Sequence, residues 1–102
     1  MPEFGTSFAG NDLGRKLSMD ELIRAVRFDV AAEYEAVQFY VQQINAADDQ
    51  VAIAVLKDIA DEELKHAGQF LRLLEHLSPE DNKKLQHGYQ ETDNMLKRLK
   101  EK

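Results

Sequence analysis

The sequence predicts an all-α protein, an antiparallel two-helix hairpin followed by a shorter C-terminal helix. Three observations carry that prediction. Gly and Pro contribute only five and two of 102 residues while 43% are hydrophobic, a composition of folded helices. Apolar residues recur at steps of three and four through two long stretches, and no strand-like alternation competes with them. The link between the stretches is short, which makes neighbouring helices antiparallel. A hairpin of roughly 60 residues buries a single seam and makes a marginal core. A second subunit is therefore expected, and two hairpins paired face to face would complete a four-helix bundle.

Each element has its own signal. Residues 1–17 hold three of the five glycines and show no helical period, so they are expected to form a mobile N-terminal arm. Residues 18–102 form the helical domain. Ser18-Met19-Asp20-Glu21 has the form of a capping box, opening a helix over about 18–45. Asn45-Ala46-Ala47-Asp48-Asp49 is the connection, with Asp48 or Asp49 capping a second helix over about 49–77. Ser78-Pro79-Glu80-Asp81 restarts the chain, Pro79 being suited to a first turn. The third helix, about 79–100, is weaker, and Gly88 is its expected point of interruption.

Composition excludes several chemistries. With no cysteine, disulfides, iron–sulfur clusters and thiolate zinc sites are ruled out. Any metal must be held by carboxylates, imidazoles and water, which suits iron or manganese. A net charge of −6 speaks against nucleic acid or an anionic membrane as partner. The longest apolar run, Val51 to Leu56, is far too short to span a bilayer. No basic-then-apolar signal opens the chain, and the expected compartment is the cytoplasm.

The informative polar residues lie on the apolar stripes. Ile23, Val26, Val30, Glu33, Val37, Tyr40 and Ile44 share one face of the first helix, and Glu33 is its only charged member. Ala52, Leu56, Ile59, Glu63, His66, Phe70, Leu73 and Leu77 form the stripe of the second, interrupted only by Glu63 and His66. Buried charges need a partner or a metal. Glu63-x-x-His66 places carboxylate and imidazole side by side. One Glu plus one Glu-x-x-His is half the ligand set of a di-iron carboxylate bundle. A two-fold axis would supply the other half. On that reading Glu33, Glu63 and His66 are metal ligands, and Glu63 is a natural bridge. Tyr40, one heptad after Glu33, is either a tyrosine reaching the site or an amphipathic core aromatic. Glu35 and Glu62 turn away from their neighbours and read as solvated charges, while His76 and His87 fall off the stripes.

Glu33-Tyr34-Glu35-Ala36-Val37-Gln38-Phe39-Tyr40, then Asp61-Glu62-Glu63-Leu64-Lys65-His66-Ala67, resembles the encapsulated ferritins, the half-length branch of the ferritin-like superfamily. The resemblance covers about Ser18 to Leu77. The last segment is similar to the ferritin-like domains fused ahead of archaeal encapsulin shells. It implies a homodimer that forms a di-iron ferroxidase centre and closes into a decameric ring. Two iron ions per subunit pair are implied, with Glu33, Glu63 and His66 as ligands and Tyr40 behind them. Glu35 would belong to an outer site through which metal enters. Ala32 departs from the pattern, where a second carboxylate of that outer site is expected, and Phe39 stands where a tryptophan often does. The implied activity is oxidation of Fe(II) to Fe(III) by dioxygen, supporting iron storage inside an encapsulin nanocompartment, with the shell protein as partner. A rubrerythrin-like di-iron peroxidase and a non-catalytic helical assembly module are the alternatives.

Overall fold

The computed structural model describes residues 12–101. Among them there are three α-helices and no strand: α1 (Met19–Ala46), α2 (Gln50–Leu77) and α3 (Pro79–Lys100). The expected mobile arm lies outside the described residues for positions 1–11. Residues 12–17 are non-helical, and Arg15 grips Glu21 through two hydrogen bonds of 2.8 and 2.7 Å.

Local chemistry explains where the helices start. The capping box is formed: Glu21 N–H donates to Ser18 Oγ at 3.2 Å, and Ser18 N–H donates to Glu21 Oε1 at 2.9 Å. Asp49 is the α2 cap, accepting from Ala52 N–H at 2.8 Å. Ser78 caps α3, its hydroxyl oxygen accepting from Asp81 N–H at 3.2 Å, with Pro79 in the first turn. Asp20 and Glu21, like Glu80 and Asp81, put negative charge at helix N-termini, while Lys97, Arg98 and Lys100 put positive charge at the α3 C-terminus. The expected break at Gly88 does not occur; α3 runs through it. One glycine in a helix of 22 residues weakens it without ending it.

α1 and α2 pack antiparallel along their lengths, and the backbone of α3 comes close to that of α2 but not of α1. The apolar core is thin: its buried residues are Val26 and Val37 of α1 and Ala60, Ala67 and Leu74 of α2. This corrects the α2 stripe read from sequence. The seam runs through Ala60, Ala67 and Leu74, seven residues apart, and the two alanines let the helix axes approach. Leu73, expected on the seam, is exposed. The large side chains in the expected stripe belong partly to the seam and partly to the next file of residues around the helix. No described helix is long and apolar enough to cross a membrane.

Candidate metal centre

Near the middle of the hairpin, α1 brings Glu33 to the same point as Glu63 and His66 of α2. One donor atom from each residue lies within 4.8 Å of the other two, and among the described residues no other group of three such side chains comes together. The i, i+3 spacing puts Glu63 and His66 on one turn. The antiparallel register then sets Glu33 opposite them. His66 Nδ1 stands 3.9 Å from Glu33 Oε2.

The electrostatics are strained in a specific way. Two carboxylates approach one another with only an imidazole to balance them. The Glu33 carboxyl is pushed above its ordinary range, first by the neighbouring Glu63 carboxyl and then by burial, with His66 working weakly in the opposite direction. Glu33 Oε2 is buried with no hydrogen-bond partner. The other such carboxylate oxygen among the described residues, Glu75 Oε1, has the Arg72 guanidinium 3.3 Å away. Glu33 has no cationic side chain in that role. Two oxygen donors and an imidazole nitrogen converging on an unmatched buried oxygen suit a hard divalent cation.

The burial is one-sided. The Glu33 side chain is 17% exposed, whereas that of His66, expected on a buried face, is 45% exposed. Leu73, one heptad beyond His66 on the same face of α2, is exposed as well. The cluster is therefore an open half-shell.

The remaining candidates fall elsewhere. Tyr40 is half-buried on the Glu33 side of α1, with no hydrogen bond to the cluster among the described residues. Glu35 lies outside the cluster, on a shallow groove with Gln38, Phe39 and Gln42. Glu62 is exposed and paired with Lys65 at 3.2 Å. Sequence reading missed the contact of Arg27 with Asp81, which joins α1 to α3 (Nε to Oδ2 3.0 Å, Nη2 to Oδ1 2.6 Å). These residues stand 54 positions apart, and no local spacing announces the pair.

The chain is similar to known proteins in sequence and in fold. Residues 15–93 match the EncFtn-like family. An encapsulin nanocompartment cargo protein, EncC, of Myxococcus xanthus is 39% identical over 66 residues, 65% of this chain and 51% of that protein. A ferritin-like-encapsulin shell fusion protein of Pyrococcus furiosus is 35% identical over 72 residues, 71% of this chain and 21% of the fusion. The chain thus spans about half the length of one relative and a fifth of the other. The crystal structure of the encapsulated ferritin domain from Pyrococcus furiosus superposes with a TM-score of 0.76 at 28% identity, covering 90% of this chain and 92% of that one. The family match takes in all three helices up to Asp93, the three clustered residues included, and this chain is a member of the EncFtn-like family.

Proposed function

We propose that two copies of this chain pair through the open His66 face and oxidise Fe(II) to Fe(III) with dioxygen at a di-iron centre shared between them. The observation that carries this reading is the unmatched Glu33 Oε2, buried beside Glu63 and His66 in a half-shell of three donors. Pairing would double the shell to four carboxylates and two imidazoles, the set that di-iron bundles use. It would also cover Leu73, left exposed on that face.

Fe(II) enters as substrate. Carboxylate oxygens bind Fe(III) more strongly than Fe(II), so Glu33 and Glu63 favour loss of one electron per iron to dioxygen. His66 completes the shell as a nitrogen donor, and a bound cation would offset the repulsion from Glu63 that raises the Glu33 carboxyl. Tyr40 stands behind Glu33 as a polar group. Relatives bearing the names of encapsulin cargo and encapsulin fusion support a place inside an encapsulin compartment, with the shell protein as partner and stored ferric iron as product.

Anaerobic titration with Fe(II), followed by air, tests this directly through ferric absorbance. Rapid oxidation saturating near one iron per chain is expected, and Glu63→Ala or His66→Ala should abolish it. Oxidation no faster than in a protein-free control leaves a non-catalytic helical assembly. Peroxide outpacing dioxygen would move the chain toward the peroxidase alternative.

A further inference from the structure

The side of the hairpin on which His66 lies open continues beyond the three clustered residues. At about 100° per residue, Asp29 projects within about 40° of Glu33, one turn and about 6 Å nearer the α1 N-terminus. His66 is turned about 60° from Glu63, toward the α2 C-terminus. Because the helices are antiparallel, both displacements lead to the same side and the same end of the hairpin. Asp29 is half-buried there and stands outside the group of three converging donors. Among the described residues no hydrogen bond or ion pair engages it. Its charge nevertheless reaches the cluster. The Glu33 carboxyl, raised first by Glu63 and then by burial, is raised further by Asp29.

The basic residues of the two helices point elsewhere. Arg24 and Arg27 of α1 project at least about 120° from Glu33, and Lys57, Lys65 and Arg72 of α2 at least about 120° from Glu63. Arg27 is also engaged with Asp81. Glu62, on the His66 side of α2, differs from Asp29: it is exposed and has Lys65 Nζ at 3.2 Å. Asp29 is left without a compensating charge.

A count of charges says what that is good for. A pair built on this cluster has four clustered carboxylates, whose charge equals that of two Fe(II) ions. Oxidation adds one positive charge per iron. The two Asp29 side chains of a pair raise the count to six, the charge of two Fe(III) ions. In a site that pairing closes from water, such a balance weighs more than it does at a surface.

We infer that Asp29 is a charge-balancing residue of the metal centre: it touches no metal, lies one turn from the ligands, and favours a trivalent over a divalent cation between them. This rests on the shared di-iron reading above and adds to it the residue that biases which oxidation state is held. Losing a unit charge weakens cation binding in proportion to the cation's own charge. The logarithm of the loss is therefore half again larger for a trivalent ion than for a divalent one. A role in shape or packing has no such dependence.

The test measures Mn(II) and Ga(III) binding, the latter from its citrate complex, by competition titration of the parent, Asp29→Asn and Asp29→Glu. Native mass spectrometry of each loaded protein accompanies it, and neither measurement needs turnover. Asp29→Asn keeps the shape and removes the charge. It is expected to weaken Mn(II) about tenfold and Ga(III) about thirtyfold. Asp29→Glu keeps the charge and should stay within about threefold of the parent for both ions. All three loaded proteins should have the mass of the pair. Equal losses for the two ions, or no loss for either, overturn the inference. So does a loss shared by Asp29→Glu, since shape rather than charge would then be at work, and so does an Asp29→Asn protein that no longer pairs. A parent that shows the charge-dependent loss on substitution but oxidises no iron in air sustains the role of Asp29 and refutes the ferroxidase reading alone. Rapid iron oxidation by the parent, with equal losses in Asp29→Asn, does the reverse. A parent that binds neither ion overturns both.

Discussion

Asp81 and Glu33 are equally shielded carboxylates, each with 17% of its side chain exposed, yet their acidities move in opposite directions. Asp81 falls from 3.8 to about 2, held first by the Arg27 guanidinium and then by the Ser78 hydroxyl. Glu33 rises, driven first by the neighbouring Glu63 carboxyl. Burial alone would raise both, so the partners decide. Asp81 has its full complement of donors from one chain and acts as a fastener. Glu33 meets a second carboxylate and keeps one oxygen without a hydrogen-bond partner, which is a poor way to hold a fold together and a good way to hold a cation.

Neutralising each carboxylate in turn should separate the two roles most sharply. Glu33→Gln removes a repelled charge, so the metal-free protein should melt no lower than the parent, while iron oxidation falls by more than about 100-fold. Asp81→Asn should do the reverse, lowering the melting temperature and leaving the iron ratio intact. Calorimetry and the ferric assay on both variants check the crossing. A Glu33→Gln protein that is destabilised but still active would reverse the assignment.

Next in size is the response to metal. A ligand that binds only the folded state stabilises it by about 2.7 kcal/mol at a hundred times its dissociation constant. Adding Fe(II) without oxygen, or Mn(II) as an air-stable probe, should therefore raise the melting temperature of the parent, and a chelator should restore it. The Glu33→Gln and His66→Ala proteins should show no such rise. Protection that persists in both would place the cation elsewhere.

Much of this contrast was legible in sequence, and unevenly so. Ser18 could be read as a cap, and the α2 cap narrowed to Asp48 or Asp49, because capping is a matter of three or four residues; the structure uses Asp49. Glu33 stood out as a lone charge on an apolar stripe, and Glu63-x-x-His66 as a pair on one turn, so the cluster followed from two periods and a short link. The spacing of the large apolar residues points to the wrong seam on α2, because the buried positions are Ala60 and Ala67, whose small size permits the approach. The Arg27–Asp81 contact was invisible, since it depends on the angle at which α3 leaves α2. The half-exposure of His66 likewise depends on which faces the third helix leaves uncovered.

Within the Asp81 cluster itself the contributions can be graded. Ser78 is buried, caps α3 and donates its hydroxyl proton to Asp81 Oδ1 at 2.7 Å. Ser78→Ala loses the cap and one carboxylate partner, which should cost about 1 kcal/mol. Denaturant titration followed by circular dichroism reads that loss, and Asp49→Ala is the matching control at an exposed cap. A Ser78→Ala protein as stable as the parent would show that Arg27 alone holds the carboxylate.

Acid should then undo the fastener through a predictable window. The Asp81 carboxyl has a lower acidity range folded than unfolded, so its contribution to stability is complete above pH ~4 and is lost as pH falls toward 2. Glu21, held at about 2 by Arg15 and the Ser18 backbone, behaves in the same sense at the start of α1. Glu33 has the opposite sign. Its raised range makes the proton bound to the folded cluster stabilising at acid pH, an advantage lost as pH rises through that range. Between about pH 4 and 2 the α3 joint should therefore loosen while the hairpin centre does not. Hydrogen exchange at those pH values, resolved by helix, should show protection falling first at the start of α3. A uniform loss along all three helices would mean that the two carboxylates, for all their difference in partners, report on a single cooperative unit.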